Sequence, residues 1–165
     1  MTLINPEMRR AVGSVIDWRV SYPIGDSDIR RWSVAVCYPE EAEMAVVSSQ
    51  GVRIAPDEFN PFAWGVNDRR SPPVRIDPGD TDRPEKMIGV RGPGLKYQVA
   101  GGLDVEYGSP MQVGDVIRSD VRLVGYTERV GRNGPMLFTV TEDIWIDQHG
   151  RWIKTIFETS IRYGR

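Results

Sequence analysis

PMLFTVTEDIWIDQHGRWIKTIFETSIRY, residues 135–163, alternates apolar and polar positions at period two for most of its length. Met136, Phe138, Val140, Ile144 and Ile146 fall on one side, and Leu137, Thr139, Thr141, Asp143 and Trp145 on the other. That period belongs to a strand with one buried side. Gln148-His149-Gly150 makes a hairpin loop, after which Ile153, Phe157, Ile161 and Tyr163 return opposite Lys154, Glu158 and Arg162. Upstream, Gly131-Arg132-Asn133-Gly134 is a turn, and residues 116–130 read as a long strand before it. Leu103, Val105 and Tyr107 alternate with Asp104 and Glu106 to give one more strand, closed by a turn over residues 108–115. The C-terminal part of the chain is therefore an antiparallel meander.

The N-terminal part is punctuated for helices. Asn5-Pro6-Glu7 is a helix entry, with a capping side chain, a proline of suitable φ and an acid near the positive helix end, and Gly13 closes that helix. Residues 17–22 alternate as a short strand. Ser27-Asp28 opens a second helix in which Ile29, Trp32 and Val36 share a face, ending near Cys37 to Pro39. A third helix is expected between Ala55 and Gly65, either kinked at Pro61 or starting at Asn60-Pro61, because a proline inside a helix removes one hydrogen bond. Residues 68–86, with Pro72, Pro73, Pro78 and Pro84 among balanced charges, read as a solvated loop inserted into one domain spanning 1–165. Helices followed by a meander give an α+β fold, a curved antiparallel sheet wrapped around a central helix.

The 165 residues suit one domain, since about 150 residues per domain is the usual measure. With 21 basic and 23 acidic residues the net charge is −2, and no basic stripe exists to neutralise phosphates, so nucleic acid and anionic membranes are excluded as main partners. The lone Cys37 cannot form an internal bridge, no charged-then-apolar leader precedes residue 20, and no apolar run is long enough to span a bilayer. A cytoplasmic protein is the expectation.

Catalytic patterns are scarce. The chain has no phosphate-binding G-x-x-x-x-G-K-[ST], no H-E-x-x-H, no G-x-S-x-G and no C-x-x-C, so neither a metal nor a cofactor is expected. Gly89 to Gly94 is glycine-rich, but its proline and the missing following helix make it loop geometry. His149, the only histidine, has the acid–base chemistry most useful near neutrality, yet a hairpin loop favours polar residues simply because water is there. Cys37 reads as packing. Phe59, Phe62 and Trp64 suit either a core or an acyl pocket.

Several segments together resemble the MaoC-like family, particularly the N-terminal half-domains of fatty-acid-synthase-type dehydratases, which have the hot-dog fold. They are Ser27 to Trp32, Arg53 to Phe59, Gly101 to Tyr107, Val113 to Ile117, Gly131-Arg132 with Gly134-Pro135-Met136, and the closing Gly150 to Tyr163. The resemblance implies that the helix opening near Ile54-Ala55-Pro56 is the one the sheet wraps, and that two such folds pair side by side. It also implies CoA or carrier-protein thioesters of β-hydroxyacyl and 2-enoyl chains, bound in a tunnel between the paired folds and interconverted by loss or addition of water. That lyase chemistry of fatty-acyl metabolism needs a group to exchange the α-proton, one to handle the hydroxyl, and donors for the thioester oxygen.

Active relatives carry an Asp and a His five residues apart in a pattern resembling G-D-x-N-P-x-H. Laid on this chain, Cys37 stands for the Gly, Tyr38 for the Asp and Glu43 for the His. A phenol does not replace a carboxylate, nor an exposed carboxylate a protonated imidazole. Some members, resembling the mycolic-acid-pathway dehydratases, divide the work between a subunit without the dyad and a second hot-dog subunit that supplies it. The resemblance thus implies a non-catalytic, substrate-binding subunit, with Tyr38, Phe59, Asn60, Trp64 and Arg132 as contacts bordering the tunnel. The alternatives are a self-sufficient homodimer using Glu43, Tyr38, Asp57 or Glu58, as hydratase or thioesterase, and an acyl-CoA binding module without activity.

Overall fold

The computed structural model describes residues 2–38, 47–132 and 134–164. Among these, helix α1 (Pro6–Ala11) is followed by strand β1 (Val15–Val20), helix α2 (Asp26–Cys37), the two-residue strand β2 (Asp68–Arg69) and the single turn α3 (Arg83–Lys86). Four long strands complete the chain: β3 (Tyr97–Tyr107), β4 (Ile117–Gly131), β5 (Gly134–Asp147) and β6 (Trp152–Tyr163). All pair antiparallel in one curved sheet of order β2-β1-β4-β5-β6-β3. The α+β class holds, and no described helix is long and apolar enough to cross a membrane.

The turns form where local chemistry demands them. Asn5 caps α1 by accepting the Met8 amide at 2.8 Å, and Asp28 reaches back to the Gly25 amide at 3.2 Å at the start of α2. Asp147 gathers the β5–β6 hairpin, accepting the amides of His149 and Arg151 at 2.8 Å each and pairing with the Arg151 guanidinium. Strand β3 begins at Tyr97, six residues before the alternation from Leu103 suggests. Gly101-Gly102 looks like a breaker in sequence but forms a bulge against β6, where a Cβ on Gly101 would lie 2.8 Å from Ile161.

Residues 55–65 do not form a helix. Phe59 and Ala63 bond back three residues, to Pro56 and Asn60, and the Asn60 side chain takes the Phe62 amide, so consecutive turns replace the expected helix. Helix α2, not a helix in this segment, packs on the sheet, and only at one end of it. Its Ile29 joins Ala55, Phe59, Phe62, Ile117, Trp145 and Ile153 in the largest apolar cluster. Two smaller clusters, around Met8 and Leu137 and around Ile16 and Leu123, lie under the N-terminal segment.

Burial on β5 follows the less apolar side. Leu137, Thr139, Trp145 and Asp147 are buried, whereas Met136, Phe138, Val140, Ile144 and Ile146 stay partly exposed outside every core cluster. On β6 the buried set includes Lys154 and Arg162. The inner face carries polar groups because each of these has partners. Arg162, with no exposed surface, bonds both oxygens of the equally buried Glu85 at 2.7 and 2.8 Å, the Thr139 hydroxyl at 2.8 Å and the Thr81 carbonyl at 2.9 Å. Tyr126 donates to Glu85 at 2.7 Å, and burial together with that carboxylate pushes its phenol far above the ordinary value.

The 68–86 stretch is a solvated loop only in part: residues 71–79 are exposed apart from the half-buried Ile76, but this ion pair ties α3 to the sheet, with Asp82 beside it accepting the Gly94 amide at 2.9 Å. A Cβ on Gly92 would meet Asp82 at 2.3 to 2.6 Å, so the glycine-rich stretch serves close packing. Removing one partner of such a pair leaves an uncompensated buried charge. Glu85→Ala is expected to lower unfolding stability by about 3–5 kcal/mol, and Glu85→Leu with Arg162→Met by less than the single change, both read from urea unfolding.

Candidate functional site

Between the end covered by α2 and the end covered by α1 and α3, the concave face of the sheet is open. Two adjoining hollows occupy it, of about 360 and 170 Å³, sharing Asp17, Val121, Thr141 and Glu158. The larger runs out to Leu103 on β3; the smaller is walled by Arg83, Pro84 and Met87 of the α3 segment. Strand register sets the floor, because Val121 pairs with Asp143, Thr141 with Glu158 and Asp143 with Ile156, and paired residues share a face.

The floor mixes apolar patches with polar groups that are largely engaged. Asp143 takes the Ser119 hydroxyl at 2.6 Å and Arg19 at 3.3 Å, and Asp17 pairs with Arg83 at 3.4 Å. Arg19 lies over the Phe62 ring at 4.2 Å, which fixes its guanidinium at the boundary of the largest cluster. Glu158 stands on the floor without an ion pair among the described residues. Toward the α2 end, Lys154 is buried over the Trp145 ring at 4.3 Å and donates to the Asp57 carbonyl at 3.0 Å. Burial holds its amine below the ordinary lysine value, with Glu58, Asp57 and Asp143 opposing that shift.

Of the residues expected at the tunnel, only Phe59 and Trp64 share a hollow, and it is not the groove. Phe59 is a core residue, edge-on to Trp32 at 5.8 Å, and Asn60 is spent on its own turn. Trp64, 56% exposed, shares with Phe59, Tyr22 and Pro61 a notch of about 90 Å³ apart from the groove. Tyr38 is exposed at the C-terminal end of α2. Arg132 is exposed in the β4–β5 turn, roughly 50 Å of strand from Ile117 in the largest cluster. Glu43 lies outside the described residues. His149 is exposed at the hairpin tip against Gln148, and Asp57 and Glu58 are exposed as well.

The groove residues Asp17, Val121, Thr141, Asp143 and Glu158 escaped the sequence reading because they sit in mid-strand on the less apolar side. Thr141, Asp143 and Glu158 interrupt the buried face of two adjacent strands, a signal that can be used only once the inward side of β5 is known. Among the described residues no His–carboxylate pair faces the groove, so it offers a shaped, partly polar trough but no evident two-residue proton relay.

Comparison with known proteins agrees with this geometry. Residues 10–156 match the family described as FAS1-like, dehydratase domain region. The ChsH1-ChsH2 complex from Mycobacterium tuberculosis contains a chain similar to this one at 14% identity, covering 88% of this chain and 82% of that one with a TM-score of 0.60. A monoamine oxidase regulatory protein from Archaeoglobus fulgius is 15% identical, covering 93% and 92% with a TM-score of 0.56. The MaoC-like dehydratase from Rhodospirillum rubrum is 13% identical, covering 94% of each chain with a TM-score of 0.52. A hypothetical thioesterase of Streptococcus pneumoniae is spanned over only about half its length, 55%, at a TM-score of 0.35. No curated protein sequence matches the chain. The curved sheet is thus the hot-dog fold of MaoC-like dehydratases.

The buried amine gives a checkable pH signature. The unfolded chain keeps the Lys154 proton to about its ordinary value of 10.5, while the folded chain sheds it earlier. The Lys154 contribution to stability therefore rises with pH until 10.5 is passed. Urea midpoints measured from neutral pH upward should shift in favour of the wild type relative to Lys154→Met; parallel curves would contradict the assignment.

Proposed function

We propose that this chain, which belongs to the FAS1-like dehydratase domain family, is the substrate-binding, non-catalytic subunit of a heteromeric 3-hydroxyacyl/2-enoyl thioester dehydratase. The observation that carries the reading is the groove without a dyad: Tyr38 stands at the Asp position, Glu43 at the His position, and the only histidine sits on an exposed hairpin. The apolar patches of Val121, Ile156, Leu103 and Met87 take the acyl chain along the concave face, and the partner's Asp and His act on its α- and β-carbons.

The partner adds at β3. That strand pairs only with β6, its residues are exposed along nearly its whole length, and it holds neither proline nor lysine to discourage a neighbour. Leu103, 65% exposed, belongs both to this edge and to the groove, so a second hot-dog fold joined here also closes the trough. The full-length likeness to a chain of the ChsH1-ChsH2 complex supports a two-chain assembly of this kind. The free Cys37 suits a cytoplasmic setting.

A second reading rests on Glu158, the groove carboxylate without an ion pair: a homodimer using it for hydration or thioester hydrolysis. The two readings separate in one assay. Purified chain mixed with trans-2-decenoyl-CoA should neither hydrate nor hydrolyse it above the buffer rate, while decanoyl-CoA raises the thermal midpoint; a hundredfold excess over Kd stabilises by about 2.7 kcal/mol. Val121→Trp, filling the groove floor, should remove that shift with the unliganded fold retained. Turnover by the chain alone, lost in Glu158→Gln, would establish the second reading instead.

A further inference from the structure

The two hollows of the concave face differ in how their polar groups are engaged. Outside the residues it shares with its neighbour, the larger hollow has Arg19 and Asp143 as its charged side chains, and these pair with each other at 3.3 Å. The smaller, of about 170 Å³, brings Gln98, Thr141, Glu158 and Ser160 together, and none of these four side chains makes a hydrogen bond or an ion pair among the described residues. Register explains the convergence. Asp143 lies opposite Ile156, Thr141 opposite Glu158 and Thr139 opposite Ser160 on β5 and β6. Paired residues share a face, and successive rungs of that face are about 7 Å apart, so the floor changes along the strands from the apolar Ile156 to the polar Glu158 and Ser160. The charge of the hollow is also unbalanced: Asp17 is compensated by Arg83 at 3.4 Å, whereas Glu158 has no such partner.

We propose that the smaller hollow is a specificity pocket for a hydroxyl group carried on the acyl chain, remote from the reacting carbons, so that the ligand is a hydroxylated acyl thioester and not a plain fatty one. The inference rests on the acyl-thioester reading above and adds to it the chemistry of the far part of the chain. The saturated carbons lie over Val121 and Ile156, and the hydroxyl, one rung further along the strands, donates to the Glu158 carboxylate and accepts from Thr141 or Ser160. A terminal methyl in the same place would take water from these groups and return no hydrogen bond, which is unfavourable. A terminal carboxylate would face Glu158 with like charge. The hydroxyls of Thr141 and Ser160 turn to donate or to accept, but an ionised Glu158 only accepts, and this selects a donor on the ligand.

Isothermal titration calorimetry on the full chain tests it, with octanoyl-, decanoyl- and dodecanoyl-CoA each compared with its ω-hydroxy counterpart. At the length that brings the chain end to Glu158, the ω-hydroxy member should bind about tenfold more tightly than the plain one. The ω-carboxy counterpart of that length should bind more weakly than either. In Glu158→Leu the preference for the hydroxyl should disappear or invert, and Thr141→Val combined with Ser160→Ala should reduce it to about threefold or less. Each variant is judged by the ratio of two affinities on the same protein, so a general loss of acyl binding does not imitate the result. Equal affinities within every pair, or a preference that survives Glu158→Leu, would overturn the pocket and leave the acyl reading in place. Failure of the wild type to bind any of the acyl-CoAs would overturn the acyl reading, and the pocket with it.

Discussion

The guanidinium of Arg162 has no contact with water, and its two bonds to Glu85 hold the α3 segment against the inner face of the sheet. From that contact follows the position of Arg83, Pro84 and Met87, which wall one end of the groove. At the opposite end, the cluster built on Ile29, Phe59, Phe62 and Trp145 seats α2 and the turns before it. The trough exists because these two covers stop short of each other, and strand β5, continuous from Gly134 to Asp147, spans the distance between them. An inner face of ordinary aliphatic residues would not tolerate this opening, since it would expose a large apolar surface. Asp17, Thr141, Asp143 and Glu158 make the uncovered part compatible with water.

How much of this could be read in the sequence depends on whether the deciding chemistry is local. The meander, the start of α1, the extent of α2 and the hairpin at Gln148 to Gly150 were legible, because period-two alternation, capping side chains and turn residues act over a few positions. The missing helix at 55–65 was less so: Phe59, Phe62 and Trp64 have helical spacing, but Pro61 withholds an amide and Asn60 diverts another into a turn. The side of β5 that goes inward was not legible, because it is decided by partners far away in sequence. Lys154 is buried since Trp145 and the Asp57 carbonyl await it, and Arg162 since Glu85 does.

The candidate site shows the same division. The absence of a complete Asp–His pattern after α2 could be read from one short segment, with Tyr38 and Glu43 in its place. The surface that would hold a ligand could not, because it is assembled from single residues of β1, β3, β4, β5 and β6 together with α3. Trp64 and Arg132, expected from helix ends and turns, do not line the groove. On the proposed reading, holding is separated from reacting: the groove would fix an extended chain, and the acid–base work would fall to the surface that completes it.

The most direct measurement of that separation is a crystal structure of the chain with a non-hydrolysable decanoyl-CoA analogue. The account predicts acyl carbons against Val121 and Ile156 on the concave face, with no ionisable pair of this chain within hydrogen-bond reach of the α- and β-carbons. Acyl density elsewhere on the chain, or such a pair drawn up to those carbons, would contradict it.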